Sequence, residues 1–282
     1  MMCCRRLFAI AATALFIAFL CGQDLAAQQK VTRYVRFQAG DTVAYGIVEG
    51  EQVRQLQGDP FDVPRPTDKT FKLSEVKLLV PTRPTKVLAM AGNYKSHLGD
   101  QPAFKEPQLF FKVPSCLIAN REPVVIPKGA TDVHYEAELV IVIRKRAKNV
   151  PVCCALDYVL GITCGNDISE RHWQKNDVQW WRAKGSDTFG PCGPVVVAGI
   201  DYNNLLLQLR LNGQVMQKQQ TNLMVHNVAQ IVSWASRHVT LEPGDLIYTG
   251  TPGKTSEIKP GDVVEVELEK VGVLTNPVKA AP

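Results

Sequence analysis

Apolar and polar positions alternate in short runs at the start of the readable chain. Tyr34-Val35-Arg36-Phe37 alternates, Gly40-Asp41 turns, Val43 to Val48 resumes, and Gly50-Glu51 turns again before Val53. A period of two broken by glycine turns predicts a β-meander. Asp59 to Lys69, rich in Pro and Asp, reads as a loop, and Pro81 to Pro84 punctuate the entry to a larger body. Beyond Lys86 the pattern predicts strands at Val87 to Met90, Leu109 to Lys112, Val124 to Ile126, Leu139 to Ile143 and Tyr158 to Thr163. Further strands are expected at Val195 to Val197, Leu207 to Leu211, Leu246 to Thr249 and Val263 to Leu268. One helix is expected from about Leu223 to Arg237, capped by Thr221 or Asn222, with Val225, Val228, Ile231, Val232 and Ala235 as its apolar stripe. The fold class is therefore α+β and β-rich, with a small N-terminal β domain over residues 28–80 and a main domain over 81–282.

Two strands differ in kind. Leu139-Val-Ile-Val-Ile143 is apolar on both faces and suits a strand buried on both sides. In Val264-Glu-Val-Glu-Leu-Glu269 the acids alternate strictly with apolar residues, so Glu265, Glu267 and Glu269 form a wet face. This contrast gives meaning to Glu136 and Glu138, which lead into the fully apolar strand. At i and i+2 they share a face, and at the mouth of a buried strand they repel each other and lose hydration. A hard divalent cation with oxygen ligands offsets that cost. A third acid, Asp167, follows the apolar run Tyr158 to Ile162. Three carboxylates leave room around Mg²⁺ for water and substrate oxygens.

Composition narrows the function classes. The chain has 282 residues and a formal charge of +5. Its one basic cluster, Arg144-Lys145-Arg146-Ala147-Lys148, lacks interleaved aromatics and reads as a solvated turn, so nucleic acid is excluded as a partner. Arg5-Arg6, the apolar run Leu7 to Leu20 and Ala26-Ala27 have the form of a signal peptide over residues 1–27, and export to the periplasm or medium is expected. That segment carries Cys3, Cys4 and Cys21. The remaining Cys116, Cys153, Cys154, Cys164 and Cys192 lack paired metal spacing and read as mostly buried thiols. Adjacent Cys153 and Cys154 bridge each other only with strain.

Six stretches then accumulate in order. They are Gly92-Asn93-Tyr94-Lys95-Ser96-His97, His134 to Leu139, Gly165 to Ser169, Trp181 to Pro191, Leu241 to Asp245 and Thr249-Gly250-Thr251-Pro252. Together they resemble the fumarylacetoacetate hydrolase family, in its acylpyruvase and 2-hydroxyhepta-2,4-diene-1,7-dioate isomerase branch. The resemblance implies a mixed β-roll core around a divalent metal, a small N-terminal domain, a homodimer, and chemistry on small 2-oxo or 1,3-dicarbonyl acids. It makes Glu136, Glu138 and Asp167 the metal ligands for Mg²⁺ or Mn²⁺, and Lys184 the active-site lysine. Gln174, Gly250 and Thr251 become substrate-binding groups. It also makes His97 a catalytic acid–base group with Asp100, which stands where the family carries Glu.

The activity expected on this basis is hydrolysis of a carbon–carbon bond in an acylpyruvate or 2,4-dioxo acid, with water activated by His97 and Asp100 and the developing charge steadied by Lys184. Gly99 and Pro102 flank a segment expected to act as a lid. The same metal site serves decarboxylation or keto–enol isomerisation of a 2-oxo diacid when no water is activated. A third reading, from a different class, is an exported metal- or ligand-binding protein without turnover.

Overall fold

The computed structural model describes residues 30–282, and the expected signal segment lies outside them. Among the described residues, twelve strands form one sheet. Its main path runs Pro66–Lys72, Gln52–Leu56, Thr42–Glu49, Thr32–Ala39, Gly190–Ala198, Val159–Asn166, Ala137–Ile143, Leu246–Tyr248, Val87–Ala91 and Gln108–Lys112. The pairing is mixed: Leu246–Tyr248 lies antiparallel to Ala137–Ile143 and parallel to Val87–Ala91. A five-stranded sheet orders Gln214–Gln220, Leu206–Leu211, Val263–Leu268, Gly272–Ala280 and Val124–Ile126.

The two sheets share one core, and this explains the central strand. Leu139, Ile141 and Ile143 join Leu207, Leu209, Val264, Val266 and Leu268, together with Val228, Ile231, Val232 and Ala235 of the long helix. Val140 and Val142, on the other face, join Val87, Ala89, Leu160, Leu246 and Tyr248. A strand between two apolar layers has no polar face to show. The meander reaches the same core through Val35, Phe37 and Val53. Its first strand pairs with the main body at Thr32 opposite Ala198, so the meander continues the large sheet.

The structure corrects several sequence expectations. The helix spans Val228–His238 and is capped by Asn227, not by Thr221 or Asn222. Asn227 Oδ1 accepts from Gln230 N at 3.0 Å, and Gln230 Oε1 accepts from Asn227 N at 2.9 Å. The α-helix does not extend back over Val225 and His226, whose N–H groups are taken by Asn93: Asn93 O accepts from Val225 N at 2.8 Å, and Asn93 Oδ1 accepts from His226 N at 2.8 Å. Pro66–Lys72 is a strand rather than loop, since it extends the meander against Gln52–Leu56. Besides short two-residue strands, two longer ones have no counterpart in the expected set, the mostly polar Gln214–Gln220 and the Pro-containing Gly272–Ala280. Of the five cysteines read as mostly buried, Cys116, Cys164 and Cys192 are buried, while Cys153 and Cys154 are exposed, on a 3₁₀ turn.

Candidate active site

Strand register assembles the carboxylates. Ala137 pairs with Asn166 and Glu138 with Gly165, so both strands end at the same level. The chain is pinned there. Asp167 N donates to Glu136 O at 2.9 Å, and Glu136 N donates to Asn166 Oδ1 at 2.8 Å. Ligand oxygens of Glu136, Glu138 and Asp167 thereby lie within 4.8 Å of one another, all three buried. Glu138 Oε2 accepts from Gly250 N at 2.6 Å, while its Oε1 has no hydrogen-bond partner.

Cations surround this cluster. Lys184 Nζ lies 2.6 Å from Glu136 Oε2 and 2.9 Å from Asp167 Oδ2. Arg171 reaches Glu136 Oε1 at 2.6 Å. Lys112 Nζ reaches Asp167 Oδ1 at 2.6 Å and also donates to the carbonyls of Lys184 and Phe189. Its three donors are thus fully used. Burial alone would raise the Glu136 carboxyl, but Lys184, Arg171 and His97 hold it below the usual carboxylate range. Burial, reinforced by the charges of Asp167 and Glu136, pushes the Glu138 carboxyl well above its ordinary value. Burial opposes the Lys112 ammonium, yet Asp167 holds its pKa above the usual value.

The donor set fits a hard divalent cation. Three buried carboxylates converge, and one buried oxygen of Glu138 is left without any donor, although buried acceptors are nearly always paired.

A cavity of about 270 Å³ opens beside Glu136 and Lys184. His97, Gln174 and Thr251 line it, and Leu98, Phe104, Phe110 and Trp180 give it an apolar wall. Lys184 Nζ lies 5.3 Å from the centre of the Phe110 ring, which meets Trp180 edge-on at 5.2 Å. The segment over the cavity is docked. Gly253 N donates to Ser96 Oγ at 3.0 Å, and His97 Nδ1 meets Gly253 O at 2.7 Å. A carbonyl only accepts, so His97 Nδ1 donates its hydrogen to Gly253 O, and Nε2 is the ring nitrogen left to face the cavity. Below the segment Gly92 has φ +59°, and a Cβ there would meet Phe104 at 2.7 Å and Leu98 at 2.8 Å.

Most of the expected site residues meet here. Glu136, Glu138, Asp167 and Lys184 form one cluster, and His97, Gln174 and Thr251 face the adjoining cavity. Gln174 Oε1 accepts from Arg171 at 2.8 Å, which leaves its amide N–H groups to donate. Thr251 Oγ1 accepts from Gln217 Nε2 at 3.0 Å. Two expectations need correction. The Gly250 N–H is spent on Glu138 and is not offered to a substrate carboxylate. Asp100 is exposed beyond Gly99, and the His97 nitrogen that a carboxylate would engage is taken by Gly253.

Sequence reasoning missed Lys112, Arg171 and Gln217. Gln217 is buried and ties the carboxylate-bearing strand to the cavity loop: its Oε1 accepts from Ala137 N at 3.0 Å, and its Nε2 donates to Pro252 O at 2.5 Å. No sequence signal marks it, since the strand exposes its apolar Val215 and Met216 and buries Gln217 instead. Arg171 had a faint one, the Asn-Asp-x-Ser-x-Arg spacing.

Comparison with known proteins places nearly the whole described chain. Residues 86–279 match the family described as fumarylacetoacetate (FAA) hydrolase C-terminal, and residues 32–81 match Rv2993c-like, N-terminal. The crystal structure of 2-hydroxyhepta-2,4-diene-1,7-dioate isomerase from Mycobacterium marinum superposes with a TM-score of 0.83 at 41% identity, covering 88% of this chain and 98% of that one. The mitochondrial oxaloacetate tautomerase fahd2 of Xenopus laevis is 40% identical over 220 residues, 73% of this chain and 69% of that one. Maleylpyruvate hydrolase from Sphingobium sp. SYK-6, solved with manganese(II) and pyruvate, has a TM-score of 0.74 at 26% identity, covering 89% of this chain and 100% of that one. Isomerase, tautomerase and hydrolase thus share one fold and one sequence pattern. The chain belongs to the fumarylacetoacetate hydrolase family.

Proposed function

We propose that this protein is a metal-assisted keto–enol isomerase of small 2-oxo diacids. The observation that carries the reading is the position of His97. Hydrolysis needs an activated water, for which the sequence suggested a His97–Asp100 dyad, and Asp100 stands exposed while Gly253 holds the imidazole. Proton transfer needs less. A neutral imidazole with a free Nε2 takes a proton from the carbon beside a 2-oxo group and returns it to the oxygen.

Glu136, Glu138 and Asp167 would hold Mg²⁺ or Mn²⁺, and the bound ion supplies Lewis acidity toward an enolisable 2-oxo acid. The side chains do the rest. The Lys184 ammonium, beside Glu136 in the cavity wall, balances negative charge that develops on the substrate oxygen. The Gln174 amide, its oxygen engaged by Arg171, donates N–H to a substrate carboxylate. The Thr251 hydroxyl adds a second donor. Leu98, Phe104, Phe110 and Trp180 keep water from the carbon that loses its proton. A 270 Å³ cavity suits a short diacid better than a long acyl chain. The names of the Mycobacterium marinum isomerase and the Xenopus laevis tautomerase support the same reaction class.

The test follows the enol absorbance of oxaloacetate and of acetylpyruvate, with Mn²⁺ and with EDTA, while pyruvate is quantified. Metal-dependent ketonisation without pyruvate is the expected result, and H97N should abolish it. Stoichiometric pyruvate and acetate from acetylpyruvate would instead assign the hydrolase. Pyruvate with carbon dioxide from oxaloacetate would assign a decarboxylase. Metal binding without any turnover would leave a binding protein.

We also propose that the protein is exported and works as a homodimer. The charge and apolar pattern of residues 1–27 supports export, and N-terminal sequencing of the mature protein tests it. Exposed Phe111, on the edge strand Gln108–Lys112, and exposed Val113 just after it support a second copy as partner; sedimentation tests that.

A further inference from the structure

Away from the three carboxylates the protein carries a pair of convergent ligand atoms with the opposite chemistry. Cys153 and Cys154 lie in the 3₁₀ turn Val152–Tyr158. Neighbouring side chains of an extended strand point to opposite sides, but this turn, closed by Cys154 N donating to Pro151 O at 3.0 Å, brings the two sulfurs to 3.5 Å. Both thiols are exposed, whereas Cys116, Cys164 and Cys192 are buried.

The support beneath them is fixed. Val150 N donates to Ser236 Oγ at 2.9 Å and Ser233 Oγ donates to Val150 O at 2.7 Å, which anchors the turn to the helix Val228–His238. Ala155, inside the turn, is fully buried.

The spacing selects what the pair can hold. It is far longer than a covalent S–S bond of about 2.05 Å. Sulfur bonds of about 2.3 Å to one ion place two sulfurs about 3.8 Å apart at a tetrahedral angle and about 3.3 Å apart near a right angle. The observed separation lies between. Two sulfurs complete only half of a structural zinc site, which takes four ligands, but they satisfy a trivalent arsenic that carries one organic group.

We propose that Cys153 and Cys154 form a chelating dithiol site for thiophilic trivalent arsenic. Soft thiolates and the hard oxygens of Glu136, Glu138 and Asp167 then sort different ions on one molecule. The step is a condensation without electron transfer. An arsenoxide R–As=O takes both thiol protons on its oxygen, two As–S bonds form as the As–O bonds break, and one water leaves. The site is independent of the isomerase reading.

The experiment uses the full chain with C3S, C4S and C21S, so that the thiols of the described body alone are read, and phenylarsine oxide as probe. One arsenical should bind per chain, and two thiols should vanish together from titration with an aromatic disulfide reagent. Release should need dithiothreitol, because a chelate resists a monothiol at equal thiol concentration by about a hundredfold. Adding C153S, or separately C154S, should bring retention down by that factor; both positions are exposed and tolerate serine. Retention unchanged in both variants, release of the parent complex by monothiol as fast as from C153S, or binding of two arsenicals per chain would each overturn the proposal.

Discussion

Lys112 shows how much of this site rests on a side chain that never faces the cavity. Its ammonium binds Asp167 and two backbone carbonyls in full burial. In K112M, Asp167 loses one of its two ammonium partners and both carbonyls lose a donor. Breaking a buried pair from one side costs about 3–5 kcal/mol, and urea unfolding of the metal-free variant should show a loss of that order. An unchanged midpoint would mean that Lys184 suffices for Asp167. Glu138 gives a pH dependence. Its folded pKa lies well above the unfolded one, so the folded state binds its proton more tightly. The associated stability is present below the ordinary carboxylate range, and is lost as pH rises from there through the raised value. Glu136 has the opposite sign, because its lowered value adds stability above the ordinary range that is lost only as pH falls through the folded value. With EDTA, the melting temperature should therefore decline with rising pH above about 4.5 in the wild type and decline less in E138Q. Saturating Mn²⁺ should remove the decline, since the ion takes Glu138 ionised. A wild-type profile parallel to that of E138Q would sink this assignment.

At the scale of elements, turns and caps aim the chemistry. N227A removes the side-chain half of the capping box, Asn227 Oδ1 on Gln230 N, and should cost about 1 kcal/mol, read as a lower melting temperature that N227S largely restores. Gly250 matters more to the site. It has φ +95°, and a Cβ there would meet Asn93 Cβ at 2.7 Å. G250A should shift the N–H that holds Glu138, so Mn²⁺ affinity measured by calorimetry should fall about tenfold while far-ultraviolet circular dichroism is unchanged. These elements also mark the limit of sequence reading. The strand Ala137–Ile143 was legible because two apolar layers leave it no polar face, and that feature singled out Glu136 and Glu138. Gln214–Gln220 was not legible: it lies at a sheet edge and buries little beyond Gln217. The helix start was misplaced because its true limit is set by Asn93, more than a hundred positions earlier in the chain. Lys112 was invisible for the same reason, since its partners lie 55, 72 and 77 positions away.

At the scale of the molecule, the meander and the main body share one apolar core and one sheet. Calorimetry should therefore show a single unfolding transition for residues 30–282; two transitions would make the meander an independent folding unit. The same unity bears on the Lys184 ammonium between Glu136 and Asp167. Because these acids already have a positive partner, the chain can be finished before any ion reaches it. On the proposed reading, any ion it then takes up records the medium in which loading took place. Two preparations of one sequence can differ in metal content while sharing every strand and turn.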